Sequence, residues 1–139
     1  MQRSSIAPVT DADELEKNKE LVVAFYERAL NDRNLDVVAE YLAPYYRQHN
    51  PTIEDDVAGL KRYLAWIQEN YPQARSEILR VWADKDIVVL HVHRVRIPET
   101  PGDAIVDLFR IEDGKIAEHW DVIQPIPTDA ANRNTMFYR

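Results

Sequence analysis

Acid/base chemistry needs a carboxylate and an imidazole close enough to set each other's charge, and the segment VDLFRIEDGKIAEHWD supplies Asp107, His119 and Asp121 around one turn. If Glu112-Asp113-Gly114 forms a three-residue loop, Ile111 faces Lys115, Phe109 faces Ala117 and Asp107 faces His119. Asp107, His119 and Asp121 then share one face of a sheet as a candidate acid/base site. Across the preceding, longer hairpin, His93 aligns with Asp107 or with Phe109 according to the register, which brings His91 and His93 onto that face. Val88, Leu90 and Val92 make the other side of the same strand apolar. His91-x-His93 also has the spacing of two metal ligands on one strand face, with His49, His119 or a carboxylate to complete a set. The plainest alternative is a solvated polar face with no chemistry.

Elements of two kinds must position these residues. Leu15, Val22, Phe25, Tyr26, Ala29 and Leu30 recur at helical spacing, and Thr10 with Asp13 resembles a capping box that opens this first helix. Asn34 caps a short second helix that ends near Pro44, and Tyr45 to His49 reads as a short extended segment closed by Asn50-Pro51. A third helix is predicted over 53–70, stopped by Pro72. From Ser76 onward the period becomes two: strands are predicted over 76–82, 87–97, 104–111 and 115–124. Their connections are hairpin-length, so the expected architecture is α+β, three N-terminal helices packed in an antiparallel sheet. Trp66, Trp82 and Trp120, with Tyr63 and Tyr71, read as core or interface aromatics, and Arg94 and Arg96 as interface charges or solvent-exposed surface charges.

The chain of 139 residues fits one domain, expected over 10–139 behind a flexible arm at 1–9. With 17 basic and 24 acidic residues the net charge is −7, and no long basic run exists, so nucleic acid is not an expected partner. There is no Cys, which removes disulfides, thiolate nucleophiles and thiolate metal sites together. The glycines, only 3 in number, cannot assemble a phosphate-binding loop. No window suits a membrane span and the first residues carry charge where a signal peptide is apolar, so a cytoplasmic location is expected.

The order helix, helix, short strand, helix, four strands, with YRQHNP, VVLHVHR, IVDLFRIEDGKIAEHWDVIQP and NTMF, resembles the SnoaL-like polyketide cyclases of the nuclear transport factor two and ketosteroid isomerase superfamily. The resemblance covers about residues 15–139. It implies a cone-shaped domain in which the curved sheet encloses an internal pocket, and a homodimer formed through the outer sheet face. It also implies roles for single residues. Tyr26 of AFYERALN matches the family's oxyanion tyrosine, and Asp107 matches its protonated aspartate. Asn50 stands where the isomerase base would be. Asp121 of EHWDV matches the acid/base carboxylate of the cyclases, with His119 facing the same way.

These readings predict a cofactor-independent enzyme, without a metal, acting on a small apolar or carbonyl ligand. Enolate formation would lead to aldol cyclisation, isomerisation or dehydration (a lyase outcome). Asp121 would be the base, His119 a relay, Tyr26 and Asp107 the oxyanion donors. His49, Asn50, His91, His93 and Phe109 would line the pocket. The alternatives are a non-catalytic ligand-binding or protein-interaction module and a metal-dependent enzyme using the His91/His93 pair.

Overall fold

The computed structural model describes residues 12–138, and the chain is α+β, with helices first and a strand meander after them. The predicted arm at 1–9 and the cap at Thr10 lie outside the described residues. Helix α1 (Ala12–Phe25) buries Val22 and Phe25 and runs directly into a π-helical segment, Tyr26–Asn31. Such segments are rare and recur at functional sites, and this one carries the buried Tyr26. Asn31 closes it by exchanging hydrogen bonds of 2.9 and 2.8 Å with the carbonyl and N–H of Ser76, which ties helix to sheet.

Asn34 caps a 3-10 turn (Leu35–Val37) by accepting from the Asp36 N–H, and the one-turn helix α2 (Val38–Tyr41) follows. Strand β1 (Leu42–Gln48) begins earlier than predicted and contains Pro44, which an edge strand tolerates because one side of it has no ladder to break. Asp55 caps α3 (Asp56–Asn70), accepting from the Asp56 N–H, so this helix starts later than predicted. Then β2 (Arg75–Asp84), β3 (Ile87–Val95), β4 (Asp103–Glu112) and β5 (Lys115–Pro125) form the meander. The five-stranded sheet has the order β1-β5-β4-β3-β2.

One edge departs from antiparallel pairing, because β1 lies parallel to β5. Hairpin length constrains only neighbours in sequence, whereas β1 reaches β5 through α3 and the whole meander. The β4–β5 turn also differs from expectation. Glu112 pairs with Lys115, leaving Asp113 (φ 52°) and Gly114 (φ 74°) as a two-residue turn, both in the left-handed region that a type I′ hairpin demands. On its own this turn would set Asp107 opposite Trp120. A bulge between Arg110 and Ile111 adds one residue on β5 and restores the parity, so Phe109 pairs with His119 and Asp107 with Asp121.

The β3–β4 register overturns the predicted placement of His91 and His93. Leu90 pairs with Asp107 and Val88 with Phe109, so the even residues of β3 share the inner face and the two histidines point outward. The energetic reason is plain. Val88, Leu90 and Val92 are all 0% exposed against the helices, each worth about 1.5–3 kcal/mol of burial, and the other register would bury two imidazoles in their place. The outward rings pack on Phe137, with centroids at 5.4 Å from His91 and 4.6 Å from His93. The inner face closes on Val22, Phe25, Leu60 and Leu64, and the core is continuous except where polar side chains interrupt it.

Candidate active site

Those interruptions meet at one place. The inner-face residues Asp107 and His119 are 3% and 7% exposed, and Tyr26 reaches them from the π segment. The Tyr26 hydroxyl donates to Asp107 Oδ2 at 3.1 Å, and His119 Nε2 lies 2.8 Å from Asp107 Oδ1. The other ring nitrogen, Nδ1, is 2.8 Å from Gln48 Oε1. Gln48 in turn donates from Nε2 to the Tyr46 hydroxyl at 2.8 Å.

These contacts set the proton inventory. The backbone N–H of Asn50 donates to Gln48 Oε1 at 2.9 Å, so that oxygen is an acceptor and His119 Nδ1 must carry a hydrogen. The short contact between His119 Nε2 and Asp107 Oδ1 then holds one further proton, carried by one partner and accepted by the other. Packing fixes the ring itself, since His119 leans on Phe109 with centroids 4.8 Å apart.

Asp121 completes the cluster, its side chain 9% exposed. Its Oδ2 is 3.8 Å from His119 Nε2, and Asn50 Nδ2 donates to both of its oxygens at 2.9 and 2.8 Å. Asn50 Oδ1 accepts from the Thr52 N–H and hydroxyl, so the amide cannot turn round. Burial raises the Asp121 pKa, and the nearby Asp107 adds to this, while the Asn50 hydrogen bond, His119 and Arg94 pull it down. Burial also pushes the Tyr26 and Tyr46 hydroxyls up, so both stay neutral donors and acceptors.

A cavity of about 80 Å³ opens over this cluster. Ligand pockets commonly measure about 300–1,000 Å³, so this space takes the reacting few atoms of a substrate and the remainder must lie along the mouth. Of the predicted site residues, Tyr26, Asn50, Asp107, Phe109, His119 and Asp121 line it. His49, His91 and His93 do not. His49 has the opposite parity to Gln48 and Asn50, stacks on Trp120 with centroids 4.8 Å apart, and pairs with Glu118 at 2.7 Å on the outer face. Tyr46 and Gln48, buried on β1 beside exposed Tyr45 and Arg47, also line the cavity and are missed by the sequence reading, because Tyr-Tyr-Arg-Gln shows no apolar alternation. Arg94 and Arg96 are also cavity residues and not solvent-exposed charges.

His91 and His93 are on the far side of the sheet from His119, which therefore cannot complete a ligand set with them. Among the described residues Asp107, His119 and Asp121 each offer one ligand atom, all within 4.8 Å of one another. A cation there would have to displace the hydrogen bond between His119 Nε2 and Asp107 Oδ1.

None of the helices among the described residues is long and apolar enough to cross a membrane. No curated protein matches the chain. Solved structures of similar fold include a candidate polyketide cyclase from Acidithiobacillus ferrooxidans, with 22% identity over 77% of this chain and 87% of the other and a TM-score of 0.64. A candidate polyketide cyclase from Bacillus cereus has 17% identity, 86% and 82% coverage and a TM-score of 0.71. A candidate ketosteroid isomerase from Kribbella flavida has 20% identity, 91% coverage of both chains and a TM-score of 0.68. The sequence profile described as the SnoaL-like domain matches residues 22–119, and the chain belongs to that family.

Proposed function

We propose that this protein is a cofactor-independent acid/base enzyme that removes a proton from the carbon beside a carbonyl and stabilises the enolate. Cyclisation, isomerisation or elimination then follows from the substrate's own structure. The observation that carries this reading is a largely buried carboxylate, Asp121, held by Asn50, set 3.8 Å from an imidazole that is hydrogen-bonded to Asp107, and raised in pKa by its burial. Asp121 takes the carbon-bound proton. The proton shared by His119 Nε2 and Asp107 Oδ1 is then available to the oxygen on which charge develops, in a site where water is scarce. The Tyr26 hydroxyl donates to Asp107, so its part is to hold that carboxylate. Asn50 positions the base.

Proton exchange tests this directly. The protein in D₂O should catalyse deuteration beside the carbonyl in at least one of a panel of 1,3-dicarbonyl and cyclic-enone probes, read by proton NMR. A probe that binds the cavity with no exchange above the buffer rate would sink the enzyme and favour a binding module.

The Asn50 contact gives a pH prediction. It lowers the Asp121 pKa against the larger effect of burial. In Asn50→Ala the pKa should therefore rise further, and the base should ionise only at higher pH. Asn50→Asp should push it higher still, because two carboxylates cannot both ionise at that distance. A titration followed by the Asp121 side-chain carbonyl ¹³C resonance checks the order native, Asn50→Ala, Asn50→Asp. An unmoved midpoint would remove Asn50 as a positioning residue.

We propose also that two copies associate through the outer sheet face. Val122 is 67% and Val106 38% exposed there, beside Trp120, an apolar strip that a second sheet would cover. Val122→Lys should convert a dimer to a monomer in light scattering, and a native monomer would contradict the proposal.

A further inference from the structure

Four arginines, Arg33, Arg75, Arg94 and Arg96, line the cavity of a chain whose net charge is −7. Three of them are neutralised or spent. Arg33 donates to Gln68 and to the Pro72 and Ala74 carbonyls, tying down the end of α3. Arg94 forms a two-point contact with Asp103 at 3.1 and 2.8 Å. Arg75 stands 3.6 Å from Glu27.

Arg96 differs. It has no carboxylate or carbonyl partner among the described residues, and its one hydrogen bond goes from Nη2 to the Tyr63 hydroxyl at 2.5 Å. Three rings surround its guanidinium, with Tyr63, Trp66 and Tyr71 centroids at 6.0, 5.8 and 5.3 Å. Its Nε–H is buried and has no acceptor. The aromatic walls hold the charge in place without neutralising it, and a buried unpaired donor on a cation is a cost that an acceptor would relieve.

Position adds to this. Arg96 follows directly on the end of β3, and it borders both the cavity and an outer depression beside Thr52 and Arg62. It therefore stands at the mouth. Leu90 pairs with Asp107, and the rest of β3, to Val95, separates Leu90 from Arg96, so Arg96 stands well away from the acid/base cluster along the sheet.

We infer that Arg96 is the anchor for a carboxylate on the substrate, so that the enzyme's substrates are extended carbonyl compounds ending in a carboxylic acid. This rests on the proposed function, and it deepens it by naming the substrate class. The guanidinium edge formed by Nε and one Nη matches the two oxygens of a carboxylate in a plane, which a lysine in the same place would not. A single guanidinium balances one negative charge, which suits a carboxylate better than a phosphate dianion. The reacting carbonyl would enter the enclosed space at His119 and Asp121 while the acid stays at the mouth. Apolar chain between the two ends would run along the inner wall.

The test uses probes that the enzyme cannot turn over, so that binding is read apart from catalysis. ω-Phenylalkanoates of increasing chain length and their primary amides are titrated into the full-length protein by calorimetry, with the Arg96 Nε–H resonance followed by NMR. At least one acid should bind tenfold or more tightly than its amide and should move that resonance. In Arg96→Met the ratio should fall below twofold, while in Asp121→Asn it should persist. Acids and amides that bind alike in the native protein, or a ratio unchanged in Arg96→Met, would overturn the proposal. If Arg96→Met does not fold, the native protein still decides: an Arg96 Nε–H resonance that stays fixed while an acid binds overturns it. Loss of exchange activity with the carboxylate preference intact, or the converse, tells which of the two readings has failed.

Discussion

Asp121→Asn is expected to lower turnover about 10³-fold and to leave the fold intact, because the change removes a general base without removing its shape. The amide keeps an oxygen for the Asn50 Nδ2 donor, which reaches both Asp121 oxygens in the native site. Stability should move in the opposite sense to activity. Burial raises the Asp121 pKa, so the ionised group is less favourable in the folded chain than in the unfolded one. Its contribution is fully present below the unfolded pKa and is lost as pH rises through the raised, folded value. Asn carries no charge at any pH, so the variant should melt no lower than the native protein at neutral pH, and the difference should close at acid pH. Exchange rates and melting curves at both pH values check this. Native turnover in the variant would remove Asp121 as base, and a lower neutral melting temperature would show that the carboxylate is structural.

The acid/base cluster was legible in the sequence for a reason that includes two compensating departures. The loop between β4 and β5 is one residue shorter than the spacing suggests, and a bulge near Ile111 supplies one residue that local patterning does not mark. A strand changes face with every residue, so a single departure would have turned His119 away from Asp107 and two restored it. The β3–β4 connection offered no such repair. Gly102 there has φ 80°, and a side chain on it would collide with the Arg94 carbonyl, but neither fact is visible before the chain is folded. His91 and His93 consequently came out on the wrong face. Arg96 shows the same limit from the other side: its aromatic walls come from α3 and the loop after it, a tertiary arrangement with no local signal.

The parallel β1–β5 edge matters more to the site than to the fold. It sets Gln48 beside His119, and the His49 N–H donates to the His119 carbonyl at 2.9 Å. Through Gln48 and, just past its end, Asn50, β1 thus fixes the tautomer of the imidazole and the orientation of the base. The departure from a purely antiparallel sheet is what brings two positioning amides to His119 and Asp121.

Asp107→Leu should be the most destabilising single change in the site, by about 3–5 kcal/mol, the cost of removing one member of a buried polar pair. The carboxylate is 3% exposed, and both its oxygens are engaged, by the Tyr26 hydroxyl at 3.1 Å and by His119 Nε2 at 2.8 Å. Leu fills the volume but leaves both partners buried without an acceptor or donor, and the melting temperature should fall by roughly 10–20 °C. Adding Tyr26→Phe should return part of that loss, since one orphaned group is then gone, and the double-mutant cycle would show a coupling of about 1 kcal/mol or more. Asp107→Asn is the informative contrast. Its oxygen can accept from Tyr26 and its amide can donate to His119 Nε2, which satisfies every partner and should keep stability within about 1 kcal/mol of native. Yet that amide proton cannot be transferred, and His119 is held as the neutral ring with hydrogen on Nδ1. Turnover should therefore fall about 10²-fold in Asp107→Asn with little change in melting, whereas Asp107→Leu loses both. Native turnover in Asp107→Asn would mean that no proton is shared with His119 during the reaction. Native melting in Asp107→Leu would mean that the network does not hold the core.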